Sequence, residues 1–183
     1  MTIAYGLTEA SPGITMTSVT DPVEVRVSTV GRSFPGVETR IVDSESGATL
    51  PDGEQGELCA RGHNVMIGYY KMPEATAAAI DADGWLHTGD LAVRDPDGNF
   101  KITGRIKDMV ILGGENVYPR EIEEFLYARD DVEDVQVVGV YDAKLGEDLC
   151  ACLKLREGES PDPEDIRQYC ADRLAHFKVP RYI

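Results

Sequence analysis

From residue 20 to residue 104 no apolar run lasts more than a few positions before Gly, Pro, Asp or Asn interrupts it. VETRIVD at 37–43, GELCARG at 56–62 and VMIGYY at 65–70 read as strands. LAVRD and NFKITG flank Pro96-Asp97-Gly98, a hairpin signal, and Glu45 to Gly56 is turn material around Pro51-Asp52-Gly53. Residues 12–36 read as irregular connection plus a short strand near 24–30, and Glu74–Ile80 as a short alanine-rich helix stopped by Asp81-Ala82-Asp83-Gly84. Many short strands with close turns predict an antiparallel sheet or a distorted β-barrel for this part of the chain.

The pattern changes after Gly104. Pro119 suits the first turn of a helix that carries Ile122, Phe125 and Leu126 as an apolar stripe. VEDVQVVGVYD at 132–142 and DLCACLKLRE at 148–157 read as two strands. Asp162 is a candidate N-cap before Pro163, opening a helix with Ile166, Tyr169, Cys170 and Leu174 on one face. Helix, strand, strand, helix makes a small α+β domain. The expected class is therefore α+β, with a β-rich unit over 1–104 and a second domain over 105–183.

Composition narrows the partners. Eighteen Lys and Arg against 33 Asp and Glu give a net charge of −15, which repels nucleic acid and anionic lipid surfaces. An anionic nucleotide needs local cations such as Arg105 and Lys107 to override that field. No apolar run approaches the roughly 20 residues of a membrane span, and MTIAYGLTEASP lacks the basic region and apolar core of a signal peptide. The four cysteines form no CxxC pair and read as reduced cytoplasmic thiols, with Cys150 and Cys152 on one strand face as packing residues. His63, His87 and His176 have no metal-ligand spacing.

Three stretches carry chemistry. In YGLTEASP, at 5–12, Thr8 offers a hydroxyl and Glu9 a carboxylate at a loop tip, fit for a phosphate oxygen and Mg²⁺ or for a solvated turn. In GWLHTGD, at 84–90, Asp90 follows Thr88-Gly89 and either grips a diol or caps a turn, while Trp85 and His87 read as packing and loop residues. In GRIKDMVILGGENVYP, at 104–119, Arg105 is a permanently charged fork for ribose or phosphate oxygens. By chemistry alone Lys107-Asp108 is an exposed charge pair. Gly113-Gly114 permits a close backbone approach, to a tight turn or to a ligand. Glu121 and Glu123, early in the next helix, read as structural.

Taken together these stretches resemble the AMP-forming adenylating enzymes, and within them the medium- and long-chain fatty acyl-CoA synthetases. The resemblance implies ATP, Mg²⁺ and coenzyme A as cofactor and co-substrates, and a fatty or other carboxylic acid as acceptor of AMP. It implies that Tyr5, Gly6 and Ile102 border the adenine, Thr8 contacts phosphate, Glu9 coordinates Mg²⁺, and Asp90 with Arg105 holds AMP. It further implies that Lys107 is the hinge of a mobile small domain and that Gly113-Gly114 lines the channel for CoA. The likeness spans essentially all 183 residues but only the distal part of such an enzyme. A phosphate loop upstream of YGLTE and a terminal catalytic lysine beyond HFKVPRYI lie outside it, and Lys178 is not that lysine. The expected function is accordingly part of an ATP-dependent carboxylic acid:CoA ligase, inactive alone and partnered by the upstream domain. Loading of a carrier-protein thiol and a non-catalytic nucleotide-binding module are the alternatives.

Overall fold

The computed structural model describes all residues, Met1–Ile183, as two compact units, Met1–Ile106 and Lys107–Ile183. The first opens with β1 (Ala4–Gly6), a 3₁₀ turn at Thr8–Ala10, β2 (Gly13–Met16), α1 (Val23–Ser28) and β3 (Arg32–Ser33); the strands form a small antiparallel sheet in the order β1-β2-β3. Then follow β4 (Val37–Val42), β5 (Gln55–Gly62), α2 (Pro73–Ala79), β6 (Leu86–Arg94) and β7 (Phe100–Arg105). These strands pair in chain order as an open antiparallel sheet, so the barrel alternative does not hold.

Alternation along β5 decides where the core sits. Leu58 packs with Ile41, Ala92 and Phe100, and Ala60 with Ala10, Ile14, Val37 and Leu86. Cys59 turns to the other face against Val42 and Trp85. Both faces of the strand are thus buried. Trp85 lies between two guanidinium groups, Arg40 at 4.2 Å and Arg61 at 4.5 Å from the ring centroid, a stacking each cation gains because Trp presents a negative π face.

Two strands expected from the sequence are absent. Of residues 24–30, those up to Ser28 fall in α1, a helix with no buried residue, and Thr29 is its C-cap. Its Val-rich alternation therefore had no core to register against, and local bonds from Ser28 Oγ to the Glu24 carbonyl and Thr29 Oγ1 to the Val25 carbonyl tie off its last turn. Residues 65–70 are irregular, with Ile67 and Tyr70 exposed. Here Gly68 takes φ +152, and the Tyr69 amide donates to Thr76 Oγ1 at 2.9 Å rather than to a strand.

The second unit contains β8 (Val110–Leu112), β9 (Glu115–Val117), α3 (Pro119–Tyr127), β10 (Val132–Asp142), β11 (Gly146–Leu155), α4 (Pro163–Ala171) and a 3₁₀ turn at His176–Lys178. Its sheet runs β10-β11-β8-β9, all antiparallel, so a hairpin adds two strands to the expected helix, strand, strand, helix. Pro119 stands at the start of α3, and the Asp162 side chain caps α4 by accepting from the Glu164 amide at 2.8 Å. Ile122, Leu126, Ile166 and Cys170 bury against Val137, Leu149 and Ala151 of the sheet. Cys150 and Cys152 point to the opposite, solvent-facing side, Cys152 exposed, so they are not core packing residues. No helix is long and apolar enough to cross a membrane.

Candidate functional site

Three side chains that the sequence singled out meet in the first unit. Tyr5 on β1 donates its hydroxyl to Asp90 Oδ2 at 2.7 Å, and Arg105, at the end of β7, donates Nε to Asp90 Oδ1 at 3.0 Å. Asp90 and Arg105 face each other in the β6–β7 register. The Asp90 side chain is 12% exposed and the Arg105 side chain 57%, so the carboxylate is sheltered while the cation reaches solvent. Burial first, then the hydrogen bond to Asp90, raises the Tyr5 phenol well above its ordinary pKa. It therefore remains a donor throughout the neutral range. Each Asp90 oxygen still has a second lone pair, the capacity a diol needs.

Asp90 is not a loop residue before a strand; it lies within β6 at an irregularity. Glu57 pairs with Leu91 and Cys59 with His87, so Thr88, Gly89 and Asp90 stand opposite Leu58 alone. Gly89 holds φ +73, which side-chain-bearing residues avoid. Thr88 Oγ1 donates to the Leu58 carbonyl at 2.7 Å and accepts from the Asp90 amide at 3.1 Å. The insertion turns Asp90 out of the regular alternation and toward Tyr5 and Arg105.

Ile102 and Tyr5 pack against the same buried cluster of Ile41, Leu58, Ala92 and Phe100. Gly6 has a backbone reason to be glycine: a Cβ there would lie 1.7 Å from the Pro12 carbonyl oxygen. Thr8 and Glu9 sit in the 3₁₀ turn after β1, Thr8 exposed and Glu9 half-buried. Tyr69, which sequence reasoning missed, donates its hydroxyl to Glu9 Oε1 at 2.7 Å, while the Met66 amide donates to the Glu9 carbonyl at 2.8 Å. That bond to Glu9 raises the Tyr69 pKa. A single half-buried carboxylate fits Mg²⁺, a hard cation that is commonly held by one or two carboxylates together with substrate phosphates.

In the second unit, Lys107 is the first residue and is exposed, within a 3₁₀ turn at Ile106–Asp108. Gly113 and Gly114 form the two-residue turn of the β8–β9 hairpin with φ +60 and +96, the pattern of a type I′ turn. Lys178 Nζ contacts both Glu121 oxygens at 2.7 Å, and Glu123 Oε1 accepts from the Val137 amide at 2.9 Å.

The fold also gathers Glu57, Cys59 and His87, whose ligand-type atoms lie within 4.8 Å of one another. His87 Nδ1 is 2.7 Å from Glu57 Oε2 and 3.5 Å from Cys59 Sγ. Burial, with Glu57 as the next cause, pushes the Cys59 thiol up to about 12, which keeps it from being a thiolate.

The chain matches the family profile of the AMP-binding enzymes over residues 1–70 and that of the AMP-binding enzyme C-terminal domain over residues 121–183. It belongs to that family of AMP-forming adenylating enzymes. YngI of Bacillus subtilis (strain 168), whose name gives acyl-CoA synthetase as a provisional activity, is 56% identical over 183 residues, 100% of this chain and 33% of its own length. The mitochondrial medium-chain acyl-CoA ligase ACSF2 of Bos taurus is 47% identical over 100% of this chain and 30% of its own length. Among solved structures, ATP-bound MatB from Rhodopseudomonas palustris superposes with a TM-score of 0.93 at 38% identity, over 99% of this chain and 35% of that one. The chain thus spans about a third of the length of the relatives it matches. Asp90, Ile102, Arg105, Lys107, Gly113 and Gly114 lie between the two matched profiles, in a stretch that these relatives do cover.

Proposed function

We propose that this chain is the distal part of an ATP-dependent carboxylic acid:CoA ligase, medium- or long-chain fatty acids being the substrate class. The observation that carries the reading is the convergence of Tyr5 and Arg105 on Asp90, in a chain matched over its whole length by two relatives, one named an acyl-CoA synthetase and the other a medium-chain acyl-CoA ligase. In this reading residues 1–104 close the large adenylating domain and 105–183 are the small mobile one.

Asp90 holds the ribose diol through its remaining lone pairs. Arg105 pairs with that carboxylate through Nε and aims its other donors at ribose or phosphate oxygens. Tyr5, Gly6 and Ile102 border the adenine, Tyr5 keeping its proton because burial holds it there. Thr8 donates to a phosphate oxygen. Glu9 would hold Mg²⁺ with the carboxylate oxygen to which Tyr69 does not donate. Bound there, Mg²⁺ would supply positive charge to offset that of the phosphates. The product of the first step is acyl-AMP, in which a poor leaving oxide has become part of a good leaving group. Lys107 is the pivot for the second step, attack by the CoA thiol, and the Gly113-Gly114 turn borders the CoA arm. The compartment is a reducing one, the cytoplasm, in keeping with four free cysteines.

The test is thioester formation from a panel of acids by the protein expressed from its full reading frame. ATP-dependent acyl-CoA with stoichiometric AMP and pyrophosphate supports the reading. Acyl transfer to a carrier-protein thiol but not to CoA replaces it with the carrier-loading alternative.

A further inference from the structure

We propose that Glu57 is a positioning residue for Asp90, holding in place the strand irregularity that aims the ribose-binding carboxylate. The inference rests on the reading of Asp90 as a ribose ligand. Glu57 sits in the middle of β5 and is 7% exposed. A carboxyl group so buried destabilises a fold unless its oxygens are satisfied. Here Oε1 accepts from the Gly89 amide at 2.9 Å and Oε2 pairs with His87 Nδ1 at 2.7 Å.

Both partners belong to β6 and stand on either side of Thr88. Three residues facing one across a ladder leave backbone groups without ladder partners, which must be paired by other means. Glu57 supplies the acceptor for Gly89, and Thr88 links the Leu58 carbonyl to the Asp90 amide. A hydrocarbon at position 57 would fill the space and leave the part-buried Gly89 amide without its acceptor. The local ladder would then relax toward regular pairing and carry Asp90 away from Tyr5 and Arg105. The same geometry argues against reading Glu57, Cys59 and His87 as a metal centre, because both carboxyl oxygens are already engaged and Cys59 is fully buried.

The experiment compares equilibrium affinities for ATP and for 2′,3′-dideoxy-ATP in the full-length protein and in its Glu57→Ala, Glu57→Gln and Asp90→Ala variants. A fold-wide weakening lowers both affinities and leaves their ratio unchanged, whereas lost ribose recognition collapses the ratio. The parent should prefer ATP by about 10- to 150-fold, the span of hydrogen bonds to a charged group. Glu57→Ala should bring the preference within about threefold, as Asp90→Ala does, while Glu57→Gln, which keeps an acceptor for Gly89, should retain most of it. If Glu57→Ala does not fold, Glu57→Met, of similar volume and without the acceptor, carries the same prediction. A preference kept by Glu57→Ala or Glu57→Met but lost by Asp90→Ala overturns the positioning role alone. A preference kept by Asp90→Ala overturns the ribose reading, and the role of Glu57 with it.

Discussion

The Tyr5 hydroxyl and Asp90 Oδ2 stand 2.7 Å apart although 85 positions separate them in sequence, so β1 and the irregularity in β6 are joined by one short hydrogen bond. Burial and this bond raise the phenol pKa above the ordinary 10.0. A group whose folded pKa is raised lends stability that is whole below its unfolded pKa and is lost as pH rises through the folded one. Alkaline titration followed by tyrosinate absorbance should show one tyrosine ionising after the others, or only on unfolding. Tyr5→Phe should remove that late component and flatten the loss of stability above about pH 10. An unaltered late component in Tyr5→Phe would assign it to another residue.

Thiol reactivity should divide the cysteines two and two. Cys152 is exposed and Cys150 partly so, whereas Cys59 and Cys170 are buried with their pKa values raised by burial. Alkylation at pH 8, read by peptide mass spectrometry, should label Cys152 first and spare Cys59 and Cys170 until denaturant is added. Early labelling of Cys59 would contradict its placement between Val42 and Trp85.

The Gly113-Gly114 turn should tolerate side chains badly. Both residues hold positive φ, so Gly114→Val should cost about 1–3 kcal/mol and register as a lower melting temperature. A Cβ at Gly114 meets nothing within 4 Å, so that loss would report backbone strain rather than a clash. An unchanged melting temperature would argue against the type I′ geometry.

Much of the framework was readable because burial and periodicity agreed. β10 at Val132–Asp142 has the bounds its Val-rich run predicted, and the Pro119 and Asp162 starts of α3 and α4 follow from backbone chemistry. The failures have a common cause. Val23–Ser28 buries nothing, so its alternation carried no information, and 65–70 is apolar yet tied to Glu9 and Thr76 rather than to a strand. The hairpin around Gly113-Gly114 was left open between turn and ligand contact because glycine serves both. Among the candidate site residues, Tyr5, Asp90 and Arg105 were singled out through the resemblance their motifs carry, Asp90 by its chemistry alone being left between diol grip and turn cap. Tyr69 and Glu57 were not, because their meaning lies in partners 60 and 32 residues away.

Lys107→Pro should separate the two half-reactions. Proline fixes φ near −65° and restricts Ile106 before it, so a rotation at this residue is blocked. In rapid-quench assays of the full-length protein, formation of acyl-AMP and its consumption by CoA should respond unequally, one step falling sharply. Equal retention or equal loss of both would remove the case for a pivot at Lys107.

The 183-residue chain by itself should form no acyl-CoA, because it spans about a third of the relatives' length and the groups that stabilise transition-state charge act together. Losing even one such donor typically costs about 10²–10³ in rate. Pyrophosphate release from ATP and a fatty acid at the rate of the full-length protein would contradict this.

The most direct measurement is ATP-dependent acyl-CoA formation by the full-length protein, run beside Asp90→Ala at saturating acid and CoA. Loss of hydrogen bonds to a charged group should weaken ATP affinity by about 10- to 150-fold, with the fold retained. The account predicts acyl-CoA, AMP and pyrophosphate in equal amounts from the parent, and a matching rise in the ATP requirement of the variant. No thioester from any acid in the panel, or a variant with unchanged ATP dependence and rate, would contradict it.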